Sequence, residues 1–227
     1  MKGENSKAIE LRDAYRLMRK QFGHQGWWPG DTPFEICVGA VLTQNTAWTN
    51  VEKAIISLKR ARVLTPRKMY DLPETELADL IRPAGYFNVK ARRLRAFLKV
   101  IVEECGGRLS KLMQGETASV RERLLGINGI GPETADSMLL YASEHHSFVI
   151  DTYTKRIFLR HGWCVEETTY HELQDLCIGA LGRKSGEARL DYWRDYHAQL
   201  VVVGKDHCRP RNPRCETCPL KPLLPGE

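Results

Sequence analysis

Apolar residues recur three and four positions apart through most of the chain, with polar residues between them. The stretch SKAIELRDAYRLMRKQF follows this period and predicts an amphipathic helix over residues 6–22. The same period predicts further helices at residues 33–42, 48–61, 74–81, 88–104, 119–125, 132–142, 152–161, 169–181 and 187–203. Alternating runs of β-branched residues are scarce, so the pattern predicts an all-α protein without a substantial sheet.

The segment after Gly204 changes character, because Cys, Pro and Arg replace the helical period and indicate an irregular loop. No apolar run approaches the roughly 18 residues of a membrane span, and the polar start MKGENSKAIELRD lacks the apolar region of a secretory signal. We therefore expect a cytoplasmic protein, whose seven cysteines are thiols or metal ligands rather than disulfides. The net charge of +6 permits a polyanionic partner without identifying one.

The string LLGINGIGPETADSMLLYA, residues 124–142, separates two helices by three closely spaced glycines. Gly129 and Gly131 can take positive φ at little steric cost, and Pro132 suits the first position of the next helix. The amide groups at that helix start, together with the helix dipole, favour an anion such as a phosphate. The simpler interpretation is a tight turn between helices. The residues predicted to bind phosphate are Gly126, Gly129, Ile130, Gly131 and Thr134.

The full string L-x-G-I-x-G-I-G-x-x-T-A resembles the helix-hairpin-helix (HhH-GPD) motif of the endonuclease III superfamily of DNA glycosylases. Other segments match that family in order along nearly the whole chain. VIDTYTKRIF places Asp151 where the family has its catalytic carboxylate. GAVLTQNTAW implies that Gln44 fills the gap left by a flipped base, and GYFNVKARRL implies that Tyr86 wedges the opposite strand. Asp151 is also a good helix N-cap by local pattern, and the two roles are compatible.

Glu133 bears on the type of reaction. Members of the superfamily that also cleave the DNA backbone use a lysine two residues after the last hairpin glycine, and Glu133 occupies that position. A carboxylate cannot form the imine with the sugar that lyase chemistry requires. The hairpin contains no lysine, and Lys155 is a weaker substitute. The resemblance therefore implies hydrolytic base excision without a lyase step, with Asp151 as the catalytic residue; the alternative role of Glu133 is a first-turn acid favoured by the helix dipole.

Three tryptophans are candidates for a base pocket. Trp27 and Trp28 are adjacent before the second helix, and Trp48 follows the LTQNT loop. Aromatic residues lie more often in a core, but two adjacent tryptophans in a Pro-Gly loop cannot both face one core. This block, with Glu133, is similar to the bacterial 3-methyladenine DNA glycosylases of endonuclease III type. A methylated purine is cationic, and an aromatic pocket attracts a desolvated cation by about 1–2 kcal/mol. The resemblance implies 3-methyladenine as substrate, with 7-methylguanine as a second candidate.

Three cysteines follow the C-x6-C-x2-C spacing of the family's iron–sulfur loop: Cys208, Cys215 and Cys218. Leu224 stands where the family has its fourth cysteine. The resemblance implies a [4Fe–4S] site with three of its four thiolates, and the occupancy of that site stays open. The alternatives are free thiols, a fourth ligand from water or another residue such as Cys177, and zinc with His207, whose position beside Cys208 gives awkward geometry.

The resemblance and the helix count imply two helical lobes with a DNA-binding cleft between them. One lobe is expected to span residues 30–142 and to hold the hairpin. The other is expected to join residues 1–29 to residues 143–227 and to carry Asp151 and the cysteine loop.

Double-stranded DNA with a damaged base is the implied partner, and the protein is expected to bind it as a monomer. Basic residues cluster after the wedge segment and within the cysteine loop, where phosphate contacts or solvated surface are the two interpretations: Lys90, Arg92, Arg93, Arg95, Arg209, Arg211 and Arg214. Two other functions stay open. One is an endonuclease III-like glycosylase–lyase acting on oxidised pyrimidines, and the other is a non-enzymatic DNA-binding helix-hairpin-helix module.

Overall fold

The computed structural model describes residues 2–27 and 30–226. Within these ranges the chain forms helices and no strands, so the predicted all-α class is confirmed. The α-helices are α1 (Lys2–Phe22), α2 (Pro33–Leu42), α3 (Trp48–Arg60), α4 (Pro66–Asp71), α5 (Glu74–Leu80), α6 (Phe87–Lys99), α7 (Leu109–Leu112), α8 (Thr117–Leu125), α9 (Pro132–Ala142), α10 (Thr152–Arg160), α11 (Tyr170–Leu181) and α12 (Gly186–Asp206).

The chain divides into two compact units. We call Met1–Trp27 together with Phe148–Glu227 the terminal unit, and Trp28–Ser147 the central unit. In the terminal unit, α1 contacts α11 and α12, and α10 contacts α12. Tyr196 is fully buried in this packing, and its hydroxyl donates to the Leu11 carbonyl at 2.9 Å. The buried hydroxyl is therefore satisfied by the backbone of α1, which ties α1 to α12.

The central unit is built around α2. Eight of the ten residues of this helix are buried, because its sequence, PFEICVGAVL, is apolar except for Glu35, which pairs with Lys59 at 2.7 Å. Helices α9, α3 and α6 contact it. Thr32 caps its start by accepting a hydrogen bond from the Glu35 amide at 3.1 Å, and Pro33 occupies the first helical position, where its missing amide is not needed.

A buried ion pair joins the two helices of the hairpin. Arg121 on α8 donates from Nε and Nη2 to the two carboxylate oxygens of Asp136 on α9, at 2.8 and 3.1 Å. Asp136 is fully buried, and the Ser147 hydroxyl also donates to it at 2.6 Å. This fork-to-fork geometry fixes the angle between α8 and α9, because a guanidinium and a carboxylate bind through two parallel hydrogen bonds.

The structure differs from the helices predicted by periodicity in several places. Helices α4 and α7 were not predicted, because six and four residues hold too few apolar positions to show a period. Val100–Glu104 forms a π-helical turn after α6 rather than a continuation of the α-helix. The cysteine loop contains two short 3₁₀ turns, Cys215–Thr217 and Lys221–Leu223. No helix in the described ranges is long and apolar enough to cross a membrane.

Candidate functional site

Asp151 caps helix α10, as its local sequence predicts. Its Oδ1 accepts hydrogen bonds from the Thr154 amide at 2.7 Å and from the Thr154 hydroxyl at 2.8 Å. The side chain is only 10% exposed. A carboxylate at a helix start also interacts favourably with the helix dipole. One oxygen of this carboxylate is therefore fully occupied by the chain's own donors.

The second carboxylate oxygen faces His197, a residue that the sequence analysis did not single out. His197 lies on α12, and its Nε2 is 3.4 Å from Asp151 Oδ2. Burial raises the pKa of Asp151, but the contact with His197 and the two Thr154 hydrogen bonds outweigh burial, so the pKa lies below its ordinary value. Asp151 is therefore held as a buried, ionised carboxylate.

Close packing of α10 on α12 brings these two residues together. A Cβ on Gly204 would lie 2.3 Å from Tyr153 Cδ1, so only glycine allows this approach of the helices. Arg156 secures the same contact by donating to the carbonyls of Cys208 and Gly204, at 2.7 and 3.0 Å. The register of the two helices places Asp151 beside His197.

Of the three predicted pocket tryptophans, Trp27 lies in the terminal unit, and its ring centroid is 6.1 Å from that of His197. Trp28 lies outside the described residues. Trp48, in the central unit, begins α3 and packs on α2, since a Cβ on Gly39 would meet its ring at 3.4 Å. Of the three predicted pocket tryptophans, Trp27 is therefore the one that the structure places near His197, which in turn contacts Asp151.

The hairpin in the central unit is tightly turned. Gly126 ends α8, Gly129 has a φ of +88°, and Gly131 precedes Pro132 at the start of α9. Gly129 has a positive φ, which glycine allows at little steric cost, whereas Gly131 has a φ of −92°. The extended backbone of Gly131 suits an N-cap position, so no left-handed conformation is needed there. Ile130 is buried, and the Ile130 amide donates to the Ile127 carbonyl at 3.0 Å.

Arg93 of α6 fills the space beneath the hairpin. A Cβ on Gly129 would lie 2.2 Å from Arg93 Cγ, so the aliphatic part of this arginine packs directly against the turn. The guanidinium of Arg93 donates to Oε1 of Gln44. Nε2 of Gln44 donates in turn to the Gly129 carbonyl at 3.0 Å and to the Thr134 hydroxyl at 2.9 Å. The predicted gap-filling side chain is thus hydrogen-bonded to the hairpin.

Tyr86, the predicted wedge, contrasts with Gln44. Its side chain is 72% exposed, and its backbone is left-handed, with φ of +46°, at the N-cap of α6. A tyrosine is rarely found in this conformation. The strained backbone presents the ring to solvent directly before α6.

Lys90 is buried, so its predicted contact with phosphate is wrong. It is 1% exposed, and its Nζ donates to the carbonyls of Leu42 and Ala84 at 2.8 and 2.7 Å. Burial, with the nearby charge of Arg93, lowers the pKa of Lys90 to about 8. Apolar periodicity could not distinguish this lysine from the exposed Arg92 two positions later.

The two residues that bear on lyase chemistry lie in different units. Glu133 is in the first turn of α9, where an acid is favoured by the helix dipole. Lys155, the substitute nucleophile considered above, extends along the terminal unit, and its Nζ donates to the Glu166 carbonyl at 2.9 Å. This hydrogen bond directs the amine towards the loop that follows α10.

The cysteine loop brings its three thiols to one small pocket, lined also by Arg160 and Leu224. Leu224, which the sequence aligns with the family's fourth cysteine, lines the same pocket as the three thiols. Burial raises the pKa of the Cys218 thiol, and the neighbouring Cys208 and Cys215 raise it further. Arg160 donates to Cys208 Sγ at 3.3 Å and to the Arg209 carbonyl at 2.7 Å. Cys177, considered as a fourth ligand, does not line this pocket and is buried on α11.

The part of the chain that the structure describes contains no group of three His, Cys, Asp or Glu side chains placed to hold a metal ion. A cluster spaces its cysteines more widely than one ion does, because each iron takes its own thiolate. The donor set of three thiolates with cationic neighbours fits a cluster better than zinc.

Comparisons with known proteins identify the family of this chain. Residues 38–179 match the family model described as HhH-GPD superfamily base excision DNA repair protein. The chain is 43% identical over 209 residues to MJ1434 of Methanocaldococcus jannaschii, whose name describes a DNA repair glycosylase, covering 91% of this chain and 92% of that protein. It is 33% identical to endonuclease III of Thermotoga maritima, covering 83% of this chain and 81% of that protein.

Among solved structures, the 3-methyladenine DNA glycosylase MagIII of H. pylori, bound to 1,N6-ethenoadenine, superposes with a TM-score of 0.74. The two are 28% identical, and the match covers 88% of this chain and 97% of that chain. The family match covers more than half of the chain, and the segments that carry the resemblance lie in the same order in the structure. The chain therefore belongs to the HhH-GPD superfamily and is an endonuclease III-like DNA glycosylase of base excision repair.

Proposed function

We propose that this glycosylase releases alkylated purines from DNA by hydrolysis alone, with Asp151 as its catalytic carboxylate. The observation that carries the proposal is the state of Asp151, which is buried, ionised and held by Thr154 and His197. Departure of a base leaves an oxocarbenium-like sugar, and a fixed negative charge stabilises it. Oδ1 accepts two hydrogen bonds, whereas Oδ2 has one contact, so Oδ2 has a lone pair for the attacking water.

The decisive test replaces Asp151 by Asn and measures single-turnover excision on methylated duplex DNA. We expect a loss of about 10²–10⁴-fold, the usual contribution of a positioned base, with DNA binding retained. Asp191→Asn serves as the control, because Asp191 is an exposed carboxylate of the same unit that contacts His24. Near-normal excision by Asp151→Asn would show that another group performs the hydrolysis.

The absence of a lyase step rests on Glu133. The Glu133 carboxylate cannot form an imine. Lys155 belongs to the terminal unit, where its amine donates to the Glu166 carbonyl. Borohydride reduction of the protein with abasic DNA tests this directly. We expect no covalent complex from the native protein, and trapping through Lys155 or another lysine would instead support the glycosylase–lyase alternative.

The proposed substrate class is supported by an aromatic ring near His197, which contacts the Asp151 carboxylate. The Trp27 ring lies 6.1 Å from that of His197, which contacts Asp151, and a cationic methylpurine is attracted to such a ring. The likeness to MagIII, at 28% identity, supports the same class. A panel of duplexes with 3-methyladenine, 7-methylguanine, uracil, thymine glycol and 8-oxoguanine should release the alkylpurines fastest. Faster release of uracil or an oxidised base would overturn the substrate class and leave the role of Asp151 intact.

We also propose that the cysteine loop holds a [4Fe–4S] cluster through Cys208, Cys215 and Cys218, with a ligand other than cysteine at the fourth iron. Support comes from the donor set, since three thiols share one pocket and Arg160 would offset their negative charge. Such a cluster would have a structural role, distant in sequence from Asp151. Iron analysis and visible absorbance of anaerobically purified protein test the proposal, with Cys215→Ser as the control; iron-free, colourless protein would overturn it.

A further inference from the structure

We infer that His197 is a positioning residue for Asp151, and that its side chain holds Oδ2 in the orientation needed for excision. The inference deepens the proposed function and rests on the catalytic role of Asp151. His197 Nε2 lies 3.4 Å from Oδ2, and the histidine is 5% exposed. The separation is longer than an ordinary hydrogen bond, so the contact is chiefly electrostatic.

The two oxygens of Asp151 are held by different means. Thr154 belongs to the same helix as the cap and holds Oδ1 whatever the neighbouring helix does. Oδ2 depends on α12, because His197 is the side chain whose contact fixes it. A buried carboxylate with only one oxygen held could rotate or take up a proton, and both events would remove the reactive oxygen. His197 therefore sets both the direction and the charge of Oδ2.

Several charged side chains on α10 and α12 bind groups other than Asp151 and His197. On α10, Arg156 and Arg160 donate to carbonyls of the cysteine loop, and Lys155 donates to the Glu166 carbonyl. On α12, Asp195 faces α1 and the segment after it. Its Oδ2 accepts from the Tyr15 hydroxyl at 2.7 Å and lies 3.5 Å from Arg19, and its Oδ1 accepts from the Gln25 amide.

The aromatic neighbour of His197 relates the contact between His197 and Asp151 to the position of the base. Trp27 lies 6.1 Å from His197 between ring centroids, at a tilt of 32°. A base that stacks on Trp27 would thus lie beside the imidazole that holds the carboxylate. Loss of His197 should therefore change the rate of the chemical step much more than the affinity for undamaged DNA.

The test compares His197→Leu and His197→Gln with the native protein in single-turnover excision between pH 4.5 and 8.5. We expect His197→Leu to reduce excision about 10-fold at neutral pH and to move the acid limb of the profile upward by about one pH unit, since the contact with His197 is one of the causes that lower the pKa of Asp151. His197→Gln keeps a donor of similar reach without the imidazole, so it should keep more of the rate and still show the shifted limb.

A purely structural role for His197 would lower the rate and leave the acid limb in place, which would overturn the inference. Thermal unfolding identifies any variant that does not fold, and His197→Gln then carries the test alone. The two proposals fail separately. Near-normal excision by Asp151→Asn overturns the proposed function, whereas inactive Asp151→Asn with an unchanged His197→Gln pH profile overturns only the role of His197.

Discussion

In the terminal unit, Asp151 is held by a histidine from another helix and by two donors of its own helix, in nearly complete burial. In the central unit, the hairpin is held through its backbone: Gly129 has a left-handed conformation, its carbonyl accepts from Gln44, and Arg93 packs beneath it. The first arrangement controls the charge of one group, and the second controls the shape of a chain segment. A substitution in the first should change a reaction rate, and one in the second should change stability and DNA affinity together.

The largest effect on stability should come from the ion pair between the hairpin helices. Arg121→Met leaves the fully buried Asp136 carboxylate without its cation, and breaking a buried pair in this way costs about 3–5 kcal/mol. Urea unfolding measures it. The control is Arg16→Met, because the Arg16 side chain is 75% exposed and pairs with Asp13 three residues earlier. This substitution should cost less than about 0.5 kcal/mol. Equal effects would mean that α8 and α9 are not joined by this pair.

Substitutions of Gly129 and Gly131 in the hairpin should have different effects on stability. Gly129→Ala forces a left-handed alanine and displaces Arg93, so we expect a loss of about 1–3 kcal/mol of unfolding free energy, with weaker DNA binding. Gly131→Ala should leave stability nearly unchanged, because no atom lies within 4 Å of the added Cβ and its φ is negative. Weaker DNA binding by a stable Gly131→Ala would indicate close approach of a phosphate to the backbone there. Identical stabilities would contradict the role of Gly129.

The lowered pKa of Lys90 predicts that the stability of the protein depends on pH. Its pKa is about 8 in the folded protein and nearer its ordinary value when unfolded. Between these values the unfolded chain binds more protons, so the Lys90 contribution to stability rises with pH. Relative to Lys90→Met, the native protein should gain about 1–2 kcal/mol of unfolding free energy between pH 8 and 10. A constant difference across this range would show that Lys90 remains charged in the fold.

The smallest of these losses of stability should come from a change at the Asp151 cap. Thr154→Val removes the hydroxyl that donates to Oδ1 at 2.8 Å and keeps the amide that donates at 2.7 Å, so about 0.5–1.5 kcal/mol of stability should be lost. The exposed neighbour Thr152 provides the matched control, Thr152→Val. Excision should fall several-fold for the first variant only. A fall shared by both would assign the effect to the helix start as a whole.

Local signals in the sequence predicted much of this arrangement. Asp151 and Thr154 are three residues apart, so the cap is visible in a short string, and Pro132 after Gly131 marks a helix start in the same way. The apolar period located each helix longer than two turns, although α1 begins four residues before its predicted start and α6 ends five residues before its predicted end. Family resemblance then supplied the order of the motifs along the chain.

Contacts between distant residues could not be predicted in this way. His197 is far from Asp151 in sequence, and only the packing of α10 on α12 brings them together. The same holds for Arg121 with Asp136, and for Lys90, which resembles a solvent-facing lysine until the carbonyls of Leu42 and Ala84 are seen around it. Charged residues that pair inside a fold have no periodic signal, because their partners come from other elements.

Helix α6 has a consequence for the entropy of binding. Arg93 and Lys90, one turn apart on it, fix the segments that carry Gln44, Gly129 and Ala84. These segments lose their conformational freedom when the central unit folds, at roughly 1–2 kcal/mol per residue ordered. Association with DNA then does not have to order them again, so more of the contact free energy remains as affinity. The rigidity of one helix thereby lowers the entropic cost of binding for three separate segments.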